Sequence, residues 1–231
     1  VEDNSEVLGI NDQIQLAEAE AVIQSRLRLT ALESGVSMVD PSTVWLCWDT
    51  KLAKDVTIEP NVVFGSQVSV EAGAQIRAFC HLEGVNIGKG AVIGPFARLR
   101  PDTVIGKDAK IGNFVEIKKS IIGDQTKVNH LSYIGDTNIG NSSNIGAGTI
   151  TCNYDGYQKS QTKIGNDVLI GSNSSLIAPI EISDRAVVGA GSVLTENVSA
   201  DSIVVSRAKQ VENSGAATRR RQREKKKPDD S

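Results

Sequence analysis

Through most of this chain an aliphatic residue recurs every six positions, and that period constrains the fold more than any other feature. The beat starts at Leu46 and passes through Leu52, Ile58, Phe64, Val70, Ile76 and Leu82. After a five-residue step it runs from Ile87 through Ile93, Leu99, Ile105 and Ile111 to Ile117. Two further short steps lead to Ile122, Val128 and Ile134, then to Ile139 and Ile145. It resumes at Ile164 and continues through Ile170, Leu176, Ile182 and Val188 to Leu194. A period of six falls between the turns of an amphipathic helix, and simple strand alternation would not single out every third inward position. A parallel β-helix of hexapeptide repeats satisfies both conditions. Each repeat gives a short strand and a bend, three repeats close one triangular coil, and the aliphatic side chain points into the prism. The 24 positions, at three per coil, predict an all-β fold of about eight or more coils. At the ~4.8 Å spacing of paired strands the column is roughly 38 Å tall. Ten of the positions are Ile followed by Gly, and that glycine is expected to allow the sharp corner.

The ends read differently. Residues 11–35 contain no proline, begin with Asn11-Asp12 and stop at Gly35, with Ile14, Ala17, Ala21, Leu27 and Leu32 at roughly helical spacing. This predicts a helix or helix pair, and hence a helical arm over 1–36, a β-helix domain over 37–207 and a basic tail over 208–231. The tail lacks periodicity and is expected to be irregular. The last 14 residues hold seven basic and three acidic side chains, whereas 1–217 hold 18 basic and 25 acidic. So acidic a body argues against nucleic-acid binding through the domain surface. No run approaches the ~18 apolar residues of a membrane span, and no secretory signal is apparent. Three cysteines, Cys47, Cys80 and Cys152, without C-x-x-C spacing favour a reducing, cytoplasmic setting and small buried side chains. The chain starts at Val1 and its only methionine is Met38, so it is read as a piece of a longer polypeptide.

A prism of this kind is a stacking object, and chemistry must come from what departs from the repeat. His130 follows the inward Val128 by two positions and should project outward near a corner, where a histidine is suited to general-base work near neutrality. Its ordinary alternative is a surface residue, and His81, directly before Leu82, is read as structural. Arg100 and Lys118 each follow an inward residue, and the unbroken six-residue steps between them put them one coil apart. Stacked cations repel unless an anion lies between them, which points to phosphate; two solvated surface cations are the plain alternative. After Ile150 the beat stops until Ile164, and the gap carries Asn153, Tyr154, Lys159 and the turn pair Asp155-Gly156. A loop expelled from a rigid scaffold is a usual place for binding groups.

Four stretches together, "GPFARLRP" (94–101), "GNFVEIKKS" (112–120), "HLSYIGD" (130–136) and "NIGAGTITCNYDG" (144–156), resemble one family. It is the acetyltransferase domain of the bacterial bifunctional enzymes that join glucosamine-1-phosphate N-acetyltransferase to N-acetylglucosamine-1-phosphate uridyltransferase. The similarity extends from near residue 10 to about Arg207. It implies a left-handed parallel β-helix, against the usual right-handed crossover, and a homotrimer with active sites between neighbouring columns. It also implies acetyl transfer from acetyl-CoA to the 2-amino group of glucosamine-1-phosphate, in the synthesis of UDP-N-acetylglucosamine for the cell wall.

Carried over position by position, the resemblance makes His130 the general base and Glu116 a carboxylate suited to orienting it. Arg100, Lys118, Tyr133, Asn144 and Lys159 fall to the sugar phosphate. Ala147, Asn153, Tyr154, Ser172, Ala190 and Arg207 fall to the acetyl-CoA side, with Asn153 and Tyr154 reaching the site from the protruding loop. No metal is expected: the uridyltransferase half, with its magnesium, has no counterpart in these residues. Two histidines are also one short of the zinc ligands of hexapeptide-coil hydratases. Two rivals remain: another hexapeptide acyltransferase, which without a phosphate on its acceptor would not call for three cations, and a non-catalytic β-helical scaffold, which would need neither His130 nor the polar loop.

Overall fold

The computed structural model describes residues 9–224. Within them the chain winds through three parallel sheets in turn. Face one has ten strands, from Ser37–Met38 to Ile203–Val204; face two has eight, from Val63–Phe64 to Val193–Leu194; face three has eight, from Lys51–Leu52 to Ile180–Ile182. Every strand pair is parallel and joins neighbouring coils, as in Ile58 beside Ile76 beside Ile93. We call the corner between faces one and two the first edge, between two and three the second, and between three and one the third.

The periodic residues form the core. Ile58, Ile76, Leu82, Ile93, Leu99, Ile117, Ile134 and Ile170 have no exposed surface, and the rest of the beat is buried with them apart from a half-buried Leu52. Where the beat falters, between Ile145 and Ile164, the inward place belongs to Thr151, fully buried and stacked on Leu176. The prism therefore continues through the gap with a polar residue, which is why an aliphatic count misses it.

Most of the glycines that follow an isoleucine have a different role from the one their position implies; of them only Gly94 has positive φ, at +90°. Elsewhere 17 non-glycine residues at positive φ make bends, among them Phe96, Asp108, Gln125 and Asn173. Gly106 and Gly146 are not among the positive-φ residues. Instead a Cβ on Gly106 would lie 2.6 Å from the Asp124 nitrogen, and one on Gly146 would lie 2.5 Å from the Ser172 nitrogen. These glycines permit the close approach of successive coils.

Along the third edge four successive coils each bring a carboxylate or amide that caps the backbone of the coil below. Asp124 Oδ1 accepts from Lys107 N, Asn141 Oδ1 from Asp124 N, Asn166 Oδ1 from Asn141 N and Asp184 Oδ1 from Asn166 N, each at 2.8 Å. These corner N–H groups face no ladder partner, so each cap removes the cost of an unpaired donor.

One helix, α1 (Gln13–Glu33), forms the arm; Asp12 caps it by accepting from Gln15 N, and Gly35 follows its end at φ +93°. Its docking is more polar than the helical spacing implies. Ile14 is exposed, while Gln24 is buried, donating to Leu46 O at 2.7 Å and accepting from Leu46 N at 3.0 Å. The amide so closes the open lower end of the prism. Beyond Arg207, where no regular structure is expected, a second helix, α2, spans Ala216–Glu224; its Ala, Arg and Gln residues are good helix formers. The rest of the expected tail, 225–231, and the first eight residues lie outside the described part. Cys80 is buried and its thiol is pushed up to about 11 by desolvation; Cys47 and Cys152 are only half-buried.

Candidate active site

His130 ends the strand Lys127–His130 on face one, exposed, beside the first edge. Its Nδ1 lies 2.7 Å from Oδ1 of Asn113, the residue paired with it in the coil below. Above it the edge continues through backbone bonds: Gly148 N donates to His130 O at 3.3 Å, Asn173 N to Ala147 O at 2.7 Å, and Gly191 N to Ser172 O at 2.8 Å. Ala147, Ser172 and Ala190 thus stand one coil apart in a single column above the histidine. At ~4.8 Å per coil, Ala190 is about 14 Å from it. The Arg207 guanidinium donates to Ala190 O and joins the same column. Three small side chains in line leave a shallow track along the backbone.

The second edge collects charge. Leu99 pairs with Ile117, so Arg100 and Lys118 follow in neighbouring coils as their spacing requires. The two cations are not an unrelieved pair, however: Arg100 Nη1 donates to Glu116 Oε1 at 2.8 Å. Lys118 faces Lys159 of the protruding loop instead. The Lys159 ammonium is held below the ordinary lysine range by hydrogen bonding and repulsion from Lys118, with desolvation adding, while Asp136 and Tyr133 oppose the shift. Asp136 itself is 8% exposed, paired with Lys119 at 3.7 Å and accepting from Asn153 Nδ2 at 2.5 Å.

The loop is a short finger. Ser160 N returns to Asn153 O at 2.9 Å, and Tyr154 bridges Lys159 in antiparallel fashion. Asp155 Oδ1 accepts from Tyr157 N and Gln158 N at the tip, and those two bonds hold its carboxyl below the usual range. Asn153 is 7% exposed and anchors the finger's base through its Nδ2 bond to Asp136; Tyr154 is exposed. Tyr133, beside Glu116 and Ile150, lies on face two, and Asn144, beside Lys127 and Leu169, on face one; both are half-buried.

One expected contact is replaced. Glu116 belongs to face two and is taken up by Arg100, whereas His130 is partnered by Asn113. The register explains it: Asn113 is the neighbour of His130 across the ladder, and Glu116 pairs with Tyr133. Within a single chain the base and its column occupy the first edge, and Arg100, Lys118, Lys159, Asn153 and Tyr154 gather at the second, across the width of face two. His81 is exposed on face two. Among the described residues no group of three or more His, Cys, Asp or Glu is placed to hold a metal ion, and no helix is long and apolar enough to cross a membrane.

Comparison with known proteins agrees with this architecture. Residues 85–168 match the family described as the GMPPB C-terminal domain, and residues 161–196 match the hexapeptide repeat of succinyl-transferase. The bifunctional protein GlmU of Sphingopyxis alaskensis is 54% identical over 217 residues, 94% of this chain and 48% of that protein. That of Paramagnetospirillum magneticum is 51% identical over 217 residues, again 94% of this chain and 48% of the other. By sequence the chain is similar to one half of the GlmU proteins. It spans about half the length of the curated relatives it matches. A solved structure described as a UDP-N-acetylglucosamine acyltransferase superposes with a TM-score of 0.52 at 19% identity, covering 74% of this chain and 71% of that one. At that identity the likeness concerns the fold alone, a left-handed parallel β-helix.

Proposed function

We propose that this chain transfers the acetyl group of acetyl-CoA to the 2-amino group of glucosamine-1-phosphate. The observation that carries the reading is the first-edge column, in which His130 stands directly below the small residues Ala147, Ser172 and Ala190. An extended thioester laid along that track, with Arg207 beside its far, phosphorylated end, brings its acyl carbon to the histidine. His130 then takes a proton from the amine as the nitrogen attacks the thioester carbonyl. The C–N bond forms, the C–S bond breaks, and the leaving thiolate receives the proton. General-base help of this kind is worth ~10²–10⁴-fold.

The acceptor is supported by the second edge. Lys118 and Lys159 repel each other in the free protein, and a phosphate between them would turn that repulsion into two charge-assisted hydrogen bonds. Arg100, half neutralised by Glu116, orients one flank, and Tyr133 and Asn144 line the sugar. Because base and cations occupy opposite edges of face two, we infer that the site is completed by a neighbouring copy, whose second edge meets the first edge of this one. An exposed ladder favours such assembly: Phe79, Phe96 and Phe114 are stacked with ring centroids 4.8 and 5.2 Å apart, and Leu131 continues the line. Solvated aromatic area of this size is a usual mark of association, and a homotrimer closes the arrangement.

Release of free CoA thiol from acetyl-CoA, measured with and without glucosamine-1-phosphate on this chain and on His130→Ala, tests the reading. Release that requires the sugar phosphate and collapses in the variant is expected. Release without any acceptor dependence, or none from an assembled protein, would overturn it.

A further inference from the structure

The contact between Asn113 and His130 has a chemical consequence. A neutral imidazole carries its proton on one nitrogen and offers the other as a base, and the bond made by the first decides which is which. Nδ1 of His130 lies 2.7 Å from the amide oxygen of Asn113, which accepts and cannot donate. Nδ1 is therefore the protonated nitrogen, and Nε2, which has no bonding partner among the described residues, keeps its lone pair. We propose that Asn113 is a positioning residue for the reaction: it holds His130 in the Nδ1–H form with Nε2 as the base. The proposal rests on the acetyl-transfer reading above and names the group that prepares its base.

The backbone makes this arrangement rigid. Asn113 and His130 are ladder partners, joined by the strands Lys110–Asn113 and Lys127–His130, and Leu131 N donates to Asn113 O at 3.0 Å just past the pair. Gly112, one residue before Asn113, lies so close to the Asn129 carbonyl that any side chain would meet it. The asparagine is half-buried, and His130 and Asn113 share one wall of a cavity of about 290 Å³. The charged groups facing that cavity are Arg77 and Lys110, both cations. No carboxylate lines the cavity, and the group that meets Nδ1 is a neutral amide. Glu116, the carboxylate the family resemblance assigns to that role, is held by Arg100. A neutral orienting group gives direction without raising basicity, the balance a base working near neutrality requires.

The test combines spectroscopy with kinetics on the full chain. With only His81 and His130 present, imidazole ¹⁵N resonances are assigned by comparing the protein with His81→Gln. The spectrum is recorded well above the ordinary histidine pKa of about 6.5. Wild-type His130 is expected to show a protonated Nδ1 and an unprotonated Nε2. Asn113→Ala should mix the two forms and lower kcat roughly tenfold to a hundredfold, inside the range a general base supplies, with KM for both substrates moving less than about threefold. Asn113→Asp should restore the Nδ1–H form and most of the rate, and move the acid limb of the pH–rate profile upward. An unprotonated Nδ1 in the wild type, or an Asn113→Ala protein that keeps both tautomer and rate, overturns the proposal. If the wild type shows the Nδ1–H form but releases no thiol with the sugar phosphate, the acetyl-transfer reading fails and the hydrogen bond stands. A variant that loses its fold is recognised by its amide spectrum, and the wild-type tautomer then decides alone.

Discussion

The same substitution, threonine to valine, should have opposite effects at two places inside this prism. Thr151 and Thr162 are both fully buried. The Thr151 hydroxyl accepts from Gly135 N at 2.8 Å and lies 3.3 Å from the carbonyls of Tyr133 and Gly135. The Thr162 hydroxyl has no partner among the described residues, and nor does that of Thr103. Valine at 151 leaves the Gly135 N–H buried and unpaired, which costs about 1–3 kcal/mol. The added methyl returns about 0.8 kcal/mol, so the net loss is about 0.2–2.2 kcal/mol. At 162 the hydroxyl contributes no bond, and the ladder neighbours are Thr137, whose own hydroxyl donates to Gly135 O, and the apolar Ile180; at 103 the neighbour is Val85. Valine there should be neutral or stabilising by up to about 1 kcal/mol. For a chain of this size 1 kcal/mol moves Tm by about 2–4 °C. Thr151→Val should then melt below the wild type, by up to about 9 °C, and Thr103→Val and Thr162→Val level with it or a few degrees above. Calorimetry at one protein concentration decides, because assembly makes Tm concentration-dependent. If all three variants shift the same way, hydrogen bonding is not what places threonine at the inward position of 151.

Four further substitutions follow from the site. Lys159→Met should raise KM for the phosphorylated acceptor roughly tenfold to a hundredfold, the worth of a charge-assisted bond at about 1.5–3 kcal/mol. Because the Lys159 pKa is lowered, its charge is lost as pH rises through a value below the ordinary 10.5; the KM of the wild type should rise on that alkaline limb, and Lys118→Met should move the limb upward. Phe96→Ser removes the middle ring of the exposed ladder and should weaken self-association at least about tenfold, since burying an aromatic side chain between copies is worth about 1.5–3 kcal/mol; sedimentation equilibrium reads it directly. Gly112→Ala forces the strands carrying Asn113 and His130 apart and should cost about 1–3 kcal/mol of stability, with kcat falling further than stability alone explains.

The prism was legible because every coil imposes the same steric demand at the same interval, and Ile, Val and Leu answer it visibly. The stacking of Arg100 and Lys118 followed from the unbroken steps between Leu99 and Ile117. What stayed hidden were relations across coils, since the steps vary in length and a polar inward residue leaves no mark in an aliphatic count. Thr151 is the plainest instance. Asn113 is another: 17 residues separate it from His130, and only the register makes them neighbours. The resemblance pointed to Glu116 for that role, yet whether a carboxylate meets a histidine or an arginine depends on which face its strand occupies. Helix α2 was missed because a run of arginines reads as solvated charge before it reads as helix.

The four third-edge caps make the backbone of the coil carrying Lys107, and of the three capped coils that follow it, the client of the coil above. A coil that brings its own Asp or Asn can therefore be added or removed whole, without any change to the coils on either side. The prism is in this sense a ruler graduated in steps of ~4.8 Å. His130 marks the zero, and Arg207 is read off by counting coils. One coil inserted between Ala147 and Ser172 would leave the base and its asparagine untouched and carry the far contact one graduation away. The reach of the donor would then be reset with no residue of the catalytic edge replaced.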